Sequence, residues 1–258
     1  MTAESEFARL VDIMRQLRRS CPWDREQTHE SLRPYLLEES YEVLHALDEG
    51  SPDALREELG DLMLQIVFHA EIAGESGEFD IDDVLRTINE KLVRRHPHVF
   101  GDTPADDAEA VLRNWVRIKR DEKDRTSVLD GIPAELPSLL KAARTLSRAR
   151  QAGVDPLGAR DVFSVAAASL GRLRSAGDRV DRPATEKALG MLFLALAELA
   201  DRADVNAEDA LRTTLKRFAD ALRREEARLD ERGRSLADLT GPEREALAGR
   251  LLAEDEED

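Results

Sequence analysis

At 258 residues the chain fits one large domain or two small ones. Charged residues reach 36% and aromatics only 4%, which disfavours strands and points to helices of Ala, Leu, Glu and Arg around an aliphatic core. A formal net charge of −16 argues against a general nucleic-acid binder, whose surface must be basic, but leaves room for a phosphorylated small molecule met through cations.

Helical periodicity dominates and no alternating strand stands out. The first helix is expected from about Glu4 to Arg19, with Phe7, Leu10, Val11, Met14 and Leu17 on one face. A loop, SCPWDREQT, follows. The second helix covers roughly residues 30–49 and stops at Gly50. Ser51 caps a third, with Pro52 in its first turn, that continues to about Gly74. Asp80 caps a fourth, striped by Ile81, Val84, Leu85, Ile88 and Leu92, which ends before Pro97. Thr103 caps a fifth, from about Pro104 to Lys123.

The stretch RTSVLDGIPAELPS, with two prolines and a glycine, reads as a linker. Beyond it come helices near 138–152, 159–176, 183–204 and 206–231, then a short amphipathic stretch and the acidic tail AEDEED, which is expected to be disordered. The two halves resemble each other: REELGDLMLQIVFHAEIA aligns with TEKALGMLFLALAELADR on Gly60 and Gly190. The resulting expectation is an all-α fold of two tandem homologous helical bundles. Its parts are residues 1–124, a linker at 125–137, a second unit at 138–235, and a short helix with tail at 236–258.

Cys21 is the single cysteine, so no intrachain disulfide is possible and a reducing compartment is expected. The opening MTAESEFARL lacks an apolar signal region, and the run MLFLALA at 191–197 is too short to span a bilayer. A cytoplasmic protein without membrane or nucleic-acid partners is the plain expectation.

The second helix carries LLEESYEV. Glu38, Glu39 and Glu42 share an arc of roughly 100°, which alone is the pattern of a solvated stripe. The third helix changes that balance. It is apolar almost all round from Leu59 to Ile72, as helices buried on both faces are, yet it carries Asp61 on the side of Phe68 and Ile72, with Glu58 one turn earlier. Acids directed into a protein need pairing or a cation. If these two clusters face each other, a hard divalent cation such as Mg²⁺ satisfies them and keeps positions open for phosphate. A Glu-x-x-His pair, Glu42 with His45, raises a di-iron alternative. That reading is weak, because the third helix has no histidine at the required offset. Lys91, Arg94 and Arg95 close the fourth helix, where they either complement the helix dipole or grip phosphate.

Together CPWDREQT, EESYE, EELGD and KLVRRHPHVFGD resemble the MazG family of nucleoside triphosphate pyrophosphohydrolases, strongly over about residues 5–125 and weakly beyond. The resemblance implies an all-α, usually dimeric, Mg²⁺-dependent hydrolase, with Mn²⁺ as a substitute. It would cut NTPs or dNTPs, non-standard ones included, into the monophosphate and pyrophosphate. Carried onto this chain it makes Glu39, Glu42, Glu58 and Asp61 metal ligands. Glu38 lies beside the triphosphate, positioning or deprotonating water. Lys91, Arg94 and Arg95 hold phosphates, while Trp115 and Lys119 fall at further nucleotide contacts. Trp23 either stacks on the base or packs.

The second half departs from the signature. Ala188 and Met191 replace Glu58 and Asp61, and VAAASLGRL stands for the EExxE segment without an acid, so this half is expected to be catalytically dead. Two alternatives remain at this stage. One is a related pyrophosphohydrolase acting on dUTP or phosphoribosyl-ATP; the other is a non-catalytic nucleotide-sensing module.

Overall fold

Each long helix begins where a short polar side chain can cap it and stops where the backbone must turn. The computed structural model describes residues 2–101, 107, 111, 118, 127–158, 161–177 and 181–253. Helix α1 (Ala3–Ser20) starts on Thr2, whose side chain accepts from the Ser5 N–H. Helix α3 (His29–Glu49) starts on Thr28 in the same way and ends on Gly50, which adopts the left-handed conformation at φ 63°. Ser51 at once caps α4 (Pro52–Glu75). Two residues thus reverse the chain, and α3 and α4 pack side by side as an antiparallel hairpin. Helix α5 (Ile81–Arg95) starts on Asp80 and ends at His96, ahead of Pro97.

The segment expected as a loop after α1 instead contains a short helix, α2 (Pro22–Glu26). Pro22 occupies its first turn, where a missing N–H costs nothing, and five residues are too few to show a periodicity. A further turn, α6 (Pro97–Phe100), follows α5. The helix expected from Pro104 to Lys123, and Trp115 and Lys119 with it, lies outside the described residues apart from isolated positions. Among the described residues there is no strand.

The chain divides into two compact units, Met1–Lys123 and Asp124–Asp258. In the first, α1 packs on α4, α3 pairs with α4, and α5 rests on α4. Val11, Met14, Leu32, Val67, Phe68, Ala70 and Ile81 form its core, with Phe7, Leu10 and Leu17 of the expected α1 stripe packed against it. The expectation that α4 is buried on both faces is corrected. Leu59, Met63 and Ile66 are 48%, 40% and 42% exposed, because no described element of this unit covers that stripe. Leu85, Ile88 and Leu92 on α5 are likewise exposed.

The second unit comprises α7 (Ser138–Gln151), α8 (Val162–Gly177), α9 (Arg182–Arg202), α10 (Ala207–Asp230), a 3₁₀ turn (Leu236–Asp238) and α11 (Gly241–Ala253). Here α9 pairs with α8 and packs on α7 and α10, an order of contacts like that around α4. Its core is Leu146, Leu157, Val162, Ala166 and Ala195. A smaller cluster of Ala221, Leu247 and Leu251 seats α11. Residues 254–258 of the acidic tail lie outside the described residues.

One buried cation ties the first unit together. The Arg18 side chain donates to both carboxylate oxygens of Glu75, at 2.7 and 2.5 Å, and to the carbonyls of Asp24 and Gln27. It also lies over the Phe68 ring, 5.7 Å from its centre. That link joins α1, α2 and α4, and the guanidinium holds the Glu75 carboxyl below its ordinary range by hydrogen bond and charge. Arg18→Met strips four acceptor oxygens of their donor. It is expected to lower the unfolding free energy of the first unit by about 2 kcal/mol. Urea unfolding checks this, and an unchanged midpoint would contradict the role given to Arg18.

Candidate metal and phosphate site

Because α3 and α4 run antiparallel from Gly50, residues some ten positions before the turn face residues some ten after it. Carboxylate oxygens of Glu39, Glu58 and Asp61 consequently lie within 4.8 Å of one another. Glu39 and Glu58 are half-buried in the interhelical cleft. Asp61 turns toward α3, while Phe68, on which its buried placement was predicated, fills the core.

The charges are crowded. Burial pushes the Glu39 carboxyl above its ordinary range, helped by the charge of Asp61, by a hydrogen bond and charge from Glu42, and by the charge of Glu38. Glu58 is also raised, by desolvation first and then by Glu42, Glu57 and Asp61, with His45 acting in the opposite sense. Glu39 thus feels Glu38, Glu42 and Asp61, and Glu58 feels Glu42 and Asp61, although only Glu39, Glu58 and Asp61 converge on one point. Glu42 and Glu38 are exposed on the same helix face, one turn and one residue away from Glu39.

A hard cation fits this donor set. The ligands are all carboxylate oxygens, and small side-chain rotations close 4.8 Å onto Mg²⁺, which takes oxygen ligands at about 2.1 Å. The di-iron alternative finds no support among the three converging groups, which include no histidine. His45 acts on Glu58 only through its charge.

The other predicted residues that the structure describes stand on α5 and α2. Lys91, Arg94 and Arg95 occupy the last turns of α5, the helix that rests on α4. Trp23 stands on α2 rather than on a loop, half-exposed, and meets the ring of Tyr35 edge-on at 5.9 Å. Tyr35 escaped the sequence reading, although it lies one turn before Glu38 and Glu39. The spacing was a usable signal. His29, just ahead of the expected helix, begins α3 and stacks on His69 at 5.1 Å, their Nδ1 atoms 2.8 Å apart. Only one of the two can carry the shared proton, and burial, then the neighbouring ring, lowers the His69 pKa.

The first unit is all-α and gathers carboxylates between two antiparallel helices, an arrangement that can hold a divalent cation. Residues 27–100 match the MazG nucleotide pyrophosphohydrolase domain model. A Thermotoga maritima protein named nucleoside triphosphate pyrophosphohydrolase/pyrophosphatase MazG is 41% identical over 237 residues, 90% of each chain. An Escherichia coli K12 nucleoside triphosphate pyrophosphohydrolase is 37% identical over 251 residues, 94% of each. A solved MazG-related protein from Thermotoga maritima aligns over 44% of this chain and 98% of its own, at 27% identity and TM-score 0.40. The chain belongs to the MazG family.

Crowding sets up an exchange between stability and cation binding. With metal chelated, Asp61→Asn removes one of three neighbouring negative charges and is expected to stabilise the first unit by about 0.5–1 kcal/mol. The same change should abolish the rise in melting temperature that Mg²⁺ gives the unaltered protein. Thermal melts with EDTA and with Mg²⁺ check both arms. Destabilisation in EDTA together with an intact Mg²⁺ response would contradict the site.

Proposed function

We propose that this chain hydrolyses nucleoside triphosphates, NTPs and dNTPs with non-standard ones included, to the monophosphate and pyrophosphate in a Mg²⁺-dependent reaction, and that the site is the α3–α4 cleft. The single observation that carries the reading is the convergence of Glu39, Glu58 and Asp61. Family membership and the names of relatives covering nine-tenths of their length support it. Mg²⁺, when bound, neutralises charge on the phosphate oxygens, and Mn²⁺ would serve in its place.

In this reading Glu39, Glu42, Glu58 and Asp61 hold the cation. Their mutual repulsion makes the empty cleft unfavourable, so binding relieves it. Glu38, exposed at the edge, orients a water and takes its proton as the water oxygen bonds to the α-phosphorus. The bond from that phosphorus to the bridging oxygen breaks, and pyrophosphate leaves. Lys91, Arg94 and Arg95 grip the departing phosphates. Tyr35 and Trp23 offer an aromatic surface near the acids, suited to a base with little discrimination among bases.

The uncovered stripe Leu59, Met63 and Ile66, with Leu37 and Tyr41 exposed on α3, supports a homodimer in which a second copy covers these faces. Met63→Glu is expected to shift sedimentation toward the monomer; an unchanged sedimentation coefficient would remove this face from the interface.

Incubation with each NTP and dNTP plus Mg²⁺ should yield the monophosphate and pyrophosphate. Glu42→Ala is expected to lower turnover by about 10²-fold with helical circular dichroism preserved. Orthophosphate as the only product overturns the reaction, and an active Glu42→Ala overturns the site. Mg²⁺-dependent binding without products would instead establish a sensing module. A panel that includes dUTP and phosphoribosyl-ATP separates the related pyrophosphohydrolases.

A further inference from the structure

In the second unit the groove between the paired helices is lined by basic side chains and a single acid. Between α8 and α9 lies an open groove of about 680 Å³, lined on α8 by Gly171, Arg172 and Ser175 and on α9 by Lys187, Ala188 and Met191. Ala188 and Met191 repeat the spacing of Glu58 and Asp61, and Lys187 stands where Glu57 does. Arg172 and Ser175 of α8 and Lys187, Ala188 and Met191 of α9 thus line one groove.

Every acid has gone from these places. Arg172 and Ser175 stand on the α8 wall, and Ala188 and Met191 replace the acids of the α9 wall. Among the described residues Arg172 and Lys187 have no hydrogen-bond or ion-pair partner, whereas Arg150 and Arg202 of the same unit are engaged with Glu198. Asp181 is the one acid on the lining, and its carboxylate is occupied in accepting from the Ala184 N–H at 3.1 Å at the start of α9. One carboxylate, engaged in capping α9, is a poor donor set for a divalent cation. Two free cations and a hydroxyl donor on opposite walls suit an anion with several oxygens, which the guanidinium can hold through paired N–H groups.

We infer that the α8–α9 groove of the second unit is a metal-independent binding site for a phosphate-bearing anion, held by Arg172 and Lys187 with Ser175. The loss of the acids then marks a change of ligand, from a cation that meets phosphates to the phosphates themselves. The volume accommodates more than a single phosphate group, so a pyrophosphate or a nucleotide fits the groove.

The test is isothermal titration of the full chain in EDTA with inorganic pyrophosphate, orthophosphate and AMP. Pyrophosphate is expected to bind, and Arg172→Ala combined with Lys187→Ala to weaken it at least tenfold. Both side chains are exposed, so helical circular dichroism should not change. Arg172→Lys should retain most of the affinity. A parallel variant, Lys91→Ala with Arg94→Ala in the first unit, should leave this binding unaltered. AMP binding tighter than orthophosphate assigns the groove to nucleotides, and equal affinities assign it to the phosphate group alone. The inference is overturned if millimolar pyrophosphate does not bind in EDTA, if the Arg172 and Lys187 variant binds as before, or if the Lys91 and Arg94 variant is the one that loses binding.

Discussion

Carboxylates that repel one another are held together by a hairpin whose apolar contacts outweigh the repulsion. At 4.8 Å two unit charges oppose each other by about 1 kcal/mol in water and by a few times more in a half-buried cleft. Against this stand the core residues beneath the cleft, among them Leu32, Val67 and Phe68, each worth about 1.5–3 kcal/mol on burial. The fold can therefore keep Glu39 and Glu58 in place with their proton affinities raised, and this prepares the cleft for a cation. Gly50 and Ser51 set the register: one ends α3 and the other caps α4, with no intervening loop to loosen the pairing.

The same architecture distributes charge differently in the two units. In the first, the buried cation Arg18 lies over Phe68 and pairs with Glu75 at the far end of α4 from the acids. In the second, the position aligned with Phe68 is Glu198, fully buried and bound by Arg150 and Arg202. An isolated buried carboxylate would be costly, and two guanidiniums balance it. In this unit the buried acid lies in the interior, and the groove between the paired helices carries Arg172 and Lys187. The two hairpins thus present different electrostatic faces.

Much of this was legible because it rests on local chemistry. Thr, Ser, Asp and Asn caps, Gly50 and the prolines mark helix ends by mechanisms that act within four residues, and the helices fall within a few residues of where those signals put them. The acid spacings 38-39-42 and 58-61 were equally open, since helical geometry alone puts each set on one face. What stayed hidden depends on tertiary neighbours. Nothing local distinguishes Leu59, Met63 and Ile66 from core residues, since an apolar stripe looks the same whether its cover lies within the unit or beyond it. The α2 helix is too short to be periodic, so Trp23 and Tyr35 could not be paired in advance. In the second unit the missing acids drew notice while Arg172 and Lys187 did not, since a gained cation on an exposed helix looks like ordinary surface until its opposite wall is known.

The most direct measurement is anomalous diffraction from crystals grown with Mn²⁺ and a non-hydrolysable nucleoside triphosphate. A manganese peak between Glu39, Glu58 and Asp61, touching the phosphate chain, is the predicted result. Phosphates bound elsewhere, with those three side chains turned to solvent and no peak between them, would contradict the account.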